Sequence, residues 1–375
     1  MDLEDDYDDI APTVTALAAS GDISVVPQLR EALDQFLDEG NFYGRDLIAG
    51  VLAGIEGVEA LPTLLRASAH DLGDDQDSLQ AEIIELLHAH RAASRRIVLD
   101  CVTGDTPELR RVGLWALGFV AEAQDIELLA AASVDSDPKV RSMAVGSIPD
   151  PATNDRAFEV LVTALRDLDE QVRVVAASSL SAAAGRADAV APLVALADDQ
   201  SVRVRSTATY ALGRIGSDEA TPTLRRLLND PERRVREEAV NALGSIGGSA
   251  AVDELLALAA EEDPHLRAQA AKALAKAVDS DPRVTAQLTM LARDDEAAVR
   301  AATISGLAST GASRSHWTQL LVELADDPDP LVRQRIAVVA RRLAPDAAPG
   351  ILRRYVDDTD PSVRRLAATE LERFA

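Results

Sequence analysis

Apolar and small residues recur along this chain at the spacing of one helix face. In residues 233–246 they fall at Val235, Ala239, Leu243 and Ile246. Side chains three or four residues apart lie on the same side of an α-helix, so the pattern predicts an amphipathic helix that buries one stripe. The small residue within the stripe indicates that a neighbouring helix approaches closely.

The same helix is repeated many times, and an Arg marks each copy. "DPERRVREEAVNALGSIG" at 230–247 aligns with "DDQSVRVRSTATYALGRIG" at 198–216. The Arg returns every 31 to 33 residues at Arg110, Arg141, Arg173, Arg205, Arg236, Arg267, Arg300, Arg333 and Arg364. Two weaker copies place Gln80 and Arg45 in that position. Self-similarity at this period is the signature of a repeat architecture, and we predict about eleven units over residues 21–375.

Each unit is predicted to hold two helices, A and then B. Asp–Pro opens several B helices, because Asp caps free N–H groups and Pro fits the first turn: Asp137–Pro138, Asp263–Pro264, Asp329–Pro330 and Asp360–Pro361. Pro62, Pro192 and Pro222 stand where the first turn of helix A is expected, and Gly216 and Gly247 fit the turn after helix B. A two-helix unit cannot bury its apolar face alone, so the units are predicted to stack into a solenoid.

The pattern D-x-x-V-R-x-x-A-x-x-A-L-G-x-I-G resembles the HEAT-like repeats of bacterial proteins, including those of the phycobilisome lyase type. The resemblance extends over most of the chain. It implies an all-α, right-handed α-solenoid of about eleven two-helix repeats, with the B helices on its concave side. It implies no single function, because members of this family include scaffolds, chromophore lyase subunits and DNA-repair enzymes.

Residues 1–20 are predicted to form an acidic N-terminal segment and capping helix, and residues 21–375 a single solenoid. The segment "MDLEDDYDDI" is acidic where a secretory signal would be basic and then apolar. No uncharged apolar run reaches the ~18 residues of a membrane span. We therefore expect a cytoplasmic protein that does not bind membranes.

The net charge of −25, from 63 acidic and 38 basic residues, bears on the partner. A negative field opposes binding to phosphate backbones and anionic membranes. It favours a basic protein or peptide partner and predicts no nucleic acid. The alternative is that acidity only keeps an Ala-rich protein soluble, for instance in high salt.

The sequence contains no motif for catalysis, a cofactor or a metal. Cys101 is the only cysteine, and no H-E-x-x-H, phosphate loop or nucleophile elbow occurs. His88 and His90 are two residues apart and point to different sides of a helix. We predict that the protein is not an enzyme and carries neither cofactor nor metal.

Acidic residues recur just before the repeated arginines, as in Asp169 and Arg173, or Asp360 and Arg364. One interpretation is a ladder in which each Arg bridges to the capping Asp of its own or a neighbouring unit. The other is an open acidic edge along the A–B turns that attracts a basic partner. The residues expected on that edge are 71–77, Asp198–Asp199, Asp294–Asp295, Asp326–Asp327 and Asp357–Asp358.

A binding surface is predicted on the side of helix B opposite the buried stripe. Five residues after the repeated Arg, this side carries Trp115 and Tyr210, and exposed aromatic side chains often anchor partners. The polar residues predicted around them are Glu85, Glu237, Glu238, Asn241 and Lys272. For Trp115 and Tyr210 the alternative interpretation is that they pack against neighbouring helices. Trp317 lies near the start of a helix A, and we predict that it packs there and is not part of the site.

"GNFYGRDL" at 40–47 places Phe42 and Tyr43 just before Arg45, in the A–B turn of the first unit. End repeats are atypical because they also close the core, so packing is one interpretation. A binding surface beside the acidic turn 71–77 is the other.

Together these patterns favour a non-catalytic protein-binding scaffold that presents an acidic concave surface to its partner. One version is an inhibitor or immunity-type protein that neutralises a basic effector. The alternatives are an enzyme subunit that resembles the bilin lyases and, ranked last, a HEAT-like DNA-binding or repair protein. DNA binding ranks last because helix B mixes acidic Glu237 and Glu238 with Lys272.

Overall fold

The computed structural model describes residues 3–73, 76–278, 281–309 and 314–373. Within these ranges the chain forms α-helices, short 3₁₀ segments and turns, and no strand. Contacts between Cα atoms divide the chain into two compact units, Met1–Ser179 and Leu180–Ala375. We call them unit 1 and unit 2. The prediction of an all-α chain is confirmed.

Unit 1 starts with α1 (Leu3–Ser20) and continues as pairs of an A and a B helix. The A helices are α2 (Val26–Asp38), α4 (Leu61–Ser68), α6 (Arg91–Val102), α8 (Ile126–Ala132) and α10 (Asp155–Ala164). The B helices are α3 (Phe42–Glu56), α5 (Asp77–Ala89), α7 (Pro107–Val120), α9 (Pro138–Gly146) and α11 (Glu170–Leu180), whose last residue belongs to unit 2. α1 contacts α3, where Gly54 lies against Ala18.

Unit 2 continues the alternation. Its A helices are α12 (Val190–Ala195), α14 (Thr221–Leu227), α16 (Ser249–Leu258), α18 (Pro282–Leu291), α20 (Arg314–Leu324) and α22 (Ala348–Tyr355). Its B helices are α13 (Val202–Ile215), α15 (Arg233–Ile246), α17 (Pro264–Lys276), α19 (Ala297–Ala308), α21 (Pro330–Leu343) and α23 (Pro361–Glu372). The 3₁₀ segments are Ile23–Val25, Gly57–Ala60, Ala123–Asp125, Ala187–Ala189, Leu196–Asp198 and Asp218–Ala220.

The ends of the B helices follow from local sequence. Asp137 and Asp360 each accept two backbone N–H groups of the first turn, and a Pro takes the first helical position after each. Gly216 and Gly247 end α13 and α15 with φ of 74° and 65°. Residues with a Cβ are strained in that conformation, so glycine allows the chain to leave the helix at this point.

Small residues bring the B helices of unit 2 into backbone contact. A Cβ added to Gly213 would lie 2.7 Å from the Cα of Ala242, and one added to Gly244 would lie 2.7 Å from the carbonyl oxygen of Ala273. No side chain separates these helices at the two contacts. Successive B helices in unit 2 therefore approach each other more closely than successive A helices do.

One apolar stretch, Phe42–Ser68, is long enough by composition to cross a membrane. The stretch contains two helices, α3 and α4, because Gly57 turns the chain between them with φ of 58°. Leu52, Leu61 and Leu64 are fully buried in the core of unit 1. Many of the apolar side chains of this stretch thus belong to the unit's own core.

Candidate binding surface on the B helices

Positions −2, +5 and +9, counted from the repeated Arg or the residue in its place, lie on one side of each B helix. Each residue turns 100° around the helix, so these three positions lie within about 40° of one another. We call them the outer stripe. None of the eleven residues at +5 is buried, and eight of them are exposed. The prediction that position +5 faces away from the core is confirmed for those eight residues, whereas Trp115 at the same position packs against the core.

Three predicted site residues of unit 2 lie together. Tyr210, Glu238 and Asn241 line a shallow depression of about 340 Å³ that crosses α13, α15 and α17. The Tyr210 side chain is 45% exposed. Arg214 and Lys276, both at position +9, line the same depression. Sequence reasoning missed these two cations because it considered only position +5, although the helical period also predicts position +9.

Glu238 is the acidic group of this depression and is half-buried. Burial raises the pKa of its carboxyl, and the charges of Lys276 and Arg234 act in the opposite direction. The Lys276 Nζ also donates weak hydrogen bonds of 3.4 Å to the Asn241 carbonyl oxygen and the Ser245 hydroxyl. The depression therefore combines one desolvated carboxyl with several cationic and neutral polar groups.

Glu237 and Lys272 lie apart from the depression. The Glu237 carboxylate accepts hydrogen bonds from Arg233 Nε at 2.7 Å and Gln269 Nε2 at 3.2 Å. The Arg233 hydrogen bond lowers the pKa of Glu237. The Glu237 carboxylate is thus already hydrogen-bonded within unit 2. It is therefore less available to a binding partner than the sequence predicts. Lys272 is exposed at position +5 of α17.

Trp115 of unit 1 is only partly exposed. Its ring packs against the hydrophobic core and meets Phe119 edge to face, with ring centroids 5.3 Å apart. His88 meets the same phenylalanine at 5.9 Å. Trp115 therefore packs partly into the core, although its position predicts that it faces away from the core. Glu85 is exposed on α5.

Phe42 and Tyr43 form the first turn of α3 instead of lying in the A–B turn before it. Asn41 caps the helix, and its side chain accepts the N–H of Gly44 at 2.9 Å. The two aromatic rings lie 4.3 Å apart between centroids, and Tyr43 is 59% exposed. Phe42 occupies the first helical position, where later B helices carry Pro, so the sequence placed this boundary two residues too late.

The repeated arginines form a ladder through the A–B turns. Arg141 donates from Nε and Nη2 to the two carboxylate oxygens of Asp167, both at 2.8 Å. Its Nη1 donates to the carbonyl oxygens of Asp135 and Ser136 in its own turn. The same two-pronged contact joins Arg110 to Asp135, Arg205 to Asp230, Arg267 to Asp294, Arg300 to Asp327 and Arg333 to Asp358.

A ladder was one of the two interpretations of the sequence, but the predicted partner Asp is wrong. The capping residues Asp169 and Asp360 bind backbone N–H groups of their own helices. In the six pairs, the ladder partner lies two residues before the cap of the following B helix. Asp294, Asp327 and Asp358, expected on an open acidic edge, are ladder partners with side chains 4–11% exposed.

Negative charge is unevenly divided between the units. Unit 1 holds 34 acidic and 13 basic residues, a net charge of −21, and unit 2 holds 29 and 25, a net charge of −4. The outer stripe of the B helices in unit 2 contains no acidic residue within the described ranges. Its basic residues are Arg203, Arg214, Arg234, Lys272, Lys276 and Arg342, together with Arg373 just after α23, which forms an ion pair with Glu370.

The prediction of an acidic surface on the B helices is therefore wrong for unit 2. The reason is that carboxylates are needed in the A–B turns, where they cap helices and bind the ladder arginines. In unit 1 the outer stripe of the B helices carries two acidic residues, Glu85 and Glu108, and one basic residue, Lys139. This part of the surface therefore remains slightly acidic.

A second depression lies on the B helices of unit 1 and was not expected from the sequence. It measures about 690 Å³ and is lined by residues of α7, α9 and α11, among them Arg111, Lys139, Met143 and Val175. Met143 is exposed although it is a large apolar residue. The sequence signal for this depression is Met143 near Gly146. Glycine has no side chain, so Gly146 leaves the outer side of α9 uncovered next to Met143.

The described residues contain no cluster of three or more His, Cys, Asp or Glu side chains arranged to hold a metal ion. Cys101 is buried, and burial, together with the charge of Asp100, raises the pKa of its thiol to about 11. A thiol with this pKa is protonated at neutral pH and is a poor nucleophile.

Comparison with known proteins identifies the repeats. A family model for HEAT repeats matches residues 158–243 and 226–308. No sequence among the curated proteins matches this chain significantly. Residues 158–308 thus match HEAT repeats, as the pattern of Asp, Arg and small residues indicates.

Among solved structures, Kap95p in complex with RanGDP is similar over 96% of this chain, with a TM-score of 0.53 and 14% identity. This chain spans 59% of Kap95p. YibA of E. coli matches over 68% of this chain and 96% of its own length, with a TM-score of 0.47 and 18% identity. The CpcE–CpcF phycocyanin lyase complex of Nostoc sp. PCC7120 matches over 64% of this chain and 94% of the matched chain, with a TM-score of 0.38 and 20% identity. The chain has the α-solenoid fold.

Proposed function

We propose that this protein is a non-catalytic scaffold whose B-helix surface binds a protein or peptide partner. The observation that carries this proposal is that large apolar and aromatic side chains remain exposed on the outer side of the B helices. They are Tyr43, Met143, Tyr210, Leu331 and Val338. Leaving such side chains in water is unfavourable, and exposed aromatic and Met residues are typical of protein interfaces.

The repeat fold also supports a binding role. Stacked helix pairs offer an extended surface in which each repeat contributes a few side chains at a fixed spacing. Both depressions described above lie on this surface, and each is shallow, as expected for contact with a polypeptide. Kap95p, which shares the fold, is also a protein that binds another protein.

Unit 1 suits a basic partner. Its net charge of −21 would speed the association of a positively charged protein and orient it before contact. An inhibitor or immunity-type role, in which the scaffold neutralises a basic effector, is one concrete form of this proposal.

The proposal can be tested by affinity capture from the source cell with the wild-type protein and two variants. The test variant is Tyr43→Ser/Tyr210→Ser, which changes outer-stripe side chains of both units. The control is Val322→Ser, since Val322 is exposed to a similar extent on the A helix α20. We expect the test variant to lose at least one protein that wild type and control both retain. Identical sets of captured proteins for all three would contradict the proposal.

A further inference from the structure

We propose that the outer stripe of unit 2 binds an acidic polypeptide segment in an extended conformation. This inference rests on the proposed protein-binding function and specifies the partner's chemistry for one surface. The cations concerned, which we call the basic stripe, are Arg203, Arg214, Arg234, Lys272, Lys276 and Arg342.

Several cations of this surface lack the ion pairs that most exposed arginines on the A helices form. On the A helices of unit 2, Arg225 pairs with Glu254, Arg283 with Asp253 and Arg354 with Asp326, and Arg353 is an exception. In contrast, Arg214 and Lys272 contact no carboxylate in the part of the chain that the structure describes, and the charge of Arg234 acts on Glu238 without forming an ion pair. In a chain with 63 acidic residues, cations left without a partner carboxylate indicate a surface that receives negative charge from elsewhere.

The depression around Tyr210 provides a seat for one carboxylate of such a segment. Arg214 and Lys276 line it, and the Asn241 amide and the Tyr210 hydroxyl supply neutral hydrogen-bond donors. Glu238 is the one group of the depression that would repel an acidic side chain. The positive charges of Lys276 and Arg234 act on this carboxyl and offset part of its repulsion of a second carboxylate.

The spacing of the helices suits an extended chain. Packed helices lie about 8–10 Å apart. Three residues of an extended polypeptide in the polyproline II conformation rise about 9 Å and complete one turn, so every third side chain points the same way. An acidic residue at every third position would therefore reach the cations of α13, α15 and α17 in turn. A helical segment would rise only about 4.5 Å over three residues and would lose this match.

A polypeptide fits this surface better than a nucleic acid does. Single-stranded nucleic acids are held by stacking on several aromatic side chains, and the outer stripe of unit 2 offers Tyr210 as its one aromatic apart from His265. A duplex is wide enough to overlap the neighbouring A–B turns, where exposed carboxylates such as Asp295 and Asp357 would repel its phosphates. An extended peptide is narrow enough to follow the stripe between these turns.

The test measures the affinity of the full-length protein for a labelled peptide of about twelve residues with Glu at every third position. Its matched control has Gln in place of each Glu. We expect the Glu peptide to bind and its affinity to fall as salt is added, whereas the Gln peptide should bind at least tenfold more weakly. The protein variant Arg214→Glu/Lys276→Glu should weaken binding of the Glu peptide at least tenfold.

The control variant Arg225→Glu/Arg353→Glu makes the same change in net charge on the A helices and should alter affinity less than about twofold, because distant exposed charges are screened by salt. Equal losses in both variants would overturn the inference, since net charge alone would explain them. Tighter binding of single-stranded or duplex DNA in the same assay would also overturn it. If the Glu peptide fails to bind while Tyr43→Ser/Tyr210→Ser still loses a captured protein, this inference fails and the proposed function stands.

Discussion

Arg300 and Asp327 are 27 residues apart in sequence and joined by two parallel hydrogen bonds, from Nε at 2.8 Å and from Nη2 at 2.7 Å. Their side chains are 11% and 4% exposed. The same arginine donates from Nη1 to the carbonyl oxygens of Asp294 and Asp295. One side chain thus fixes its own A–B turn and ties it to the turn of the next repeat.

Removing this contact should destabilise the protein strongly. Arg300→Ala leaves the nearly buried Asp327 carboxylate without its cation, so we expect a loss of about 3 kcal/mol in the free energy of unfolding of unit 2. Urea denaturation followed by circular dichroism measures it. The matched control is Arg293→Ala, whose ion pair with Glu323 is about half exposed. The control should cost less than about 1 kcal/mol, and equal losses would show that the ladder contributes no more than a surface ion pair.

The ladder also predicts sensitivity to acid. Hydrogen bonds from arginine hold the pKa values of Asp135, Asp294 and Asp358 below the ordinary value of an aspartate. A carboxyl with a lower pKa in the folded state stabilises the fold above its unfolded pKa, and this contribution is lost as pH falls through the folded value. Stability should thus be constant above about pH 5 and fall below about pH 4.

Asp294→Asn provides the matched variant for the acid prediction. It removes one titrating carboxyl, so its melting temperature should be lower than that of wild type near neutral pH and the difference should shrink in acid. A difference that stays constant down to pH 2 would contradict the role given to Asp294.

Gly244 should not tolerate a side chain. An added Cβ would lie 2.7 Å from the carbonyl oxygen of Ala273, so Gly244→Ala must push α15 and α17 apart at a cost of about 2 kcal/mol. Gly118, in the last turns of α7, has no atom within 4 Å of the position of an added Cβ. Gly118→Ala should therefore stabilise the protein by about 0.5–1 kcal/mol. Thermal melts of both variants measure the two effects, and a stabilised Gly244→Ala would refute the close contact.

Cys101 should react slowly in the folded protein. Because the pKa of its buried thiol is about 11, little thiolate exists at pH 8, and the side chain is also shielded. Alkylation by iodoacetamide, followed by mass spectrometry, should be at least tenfold slower in buffer than in denaturant. Equal rates would mean that α6 opens readily or that the thiol is not buried.

The sequence was most informative about features that repeat. Val235, Ala239 and Leu243 recur in every unit with small changes, and a periodic pattern this long predicts helices with little ambiguity. The four Asp–Pro pairs predicted the starts of their B helices, and Gly216 and Gly247 predicted the ends of α13 and α15, for the same local reasons. The boundary at Phe42 was missed because the first repeat replaces the usual Pro, and Asn41 caps the helix in place of Asp.

The candidate surface was predicted only in part. Tyr210 and Asn241 were found because they occupy position +5, whereas Arg214 and Lys276 were overlooked although the same helical period places them beside it. The identity of the ladder aspartates could not be derived from spacing within one repeat, since Asp167 and Asp169 are equally plausible partners by sequence distance. The contact joins different repeats, and its geometry depends on how one repeat stacks on the next.

By itself the sequence determined the helix pairs, their caps and the buried stripe, because these depend on interactions between residues close together in the chain. The net charge of −25 was also fixed, but its placement was not. Only the tertiary structure showed that many carboxylates in the A–B turns cap helices or form ion pairs with the ladder arginines. The outer stripe of the B helices in unit 2 is therefore basic. The electrostatic character of a surface depends on which charges neighbouring repeats neutralise, and that pairing exists only once the repeats are stacked.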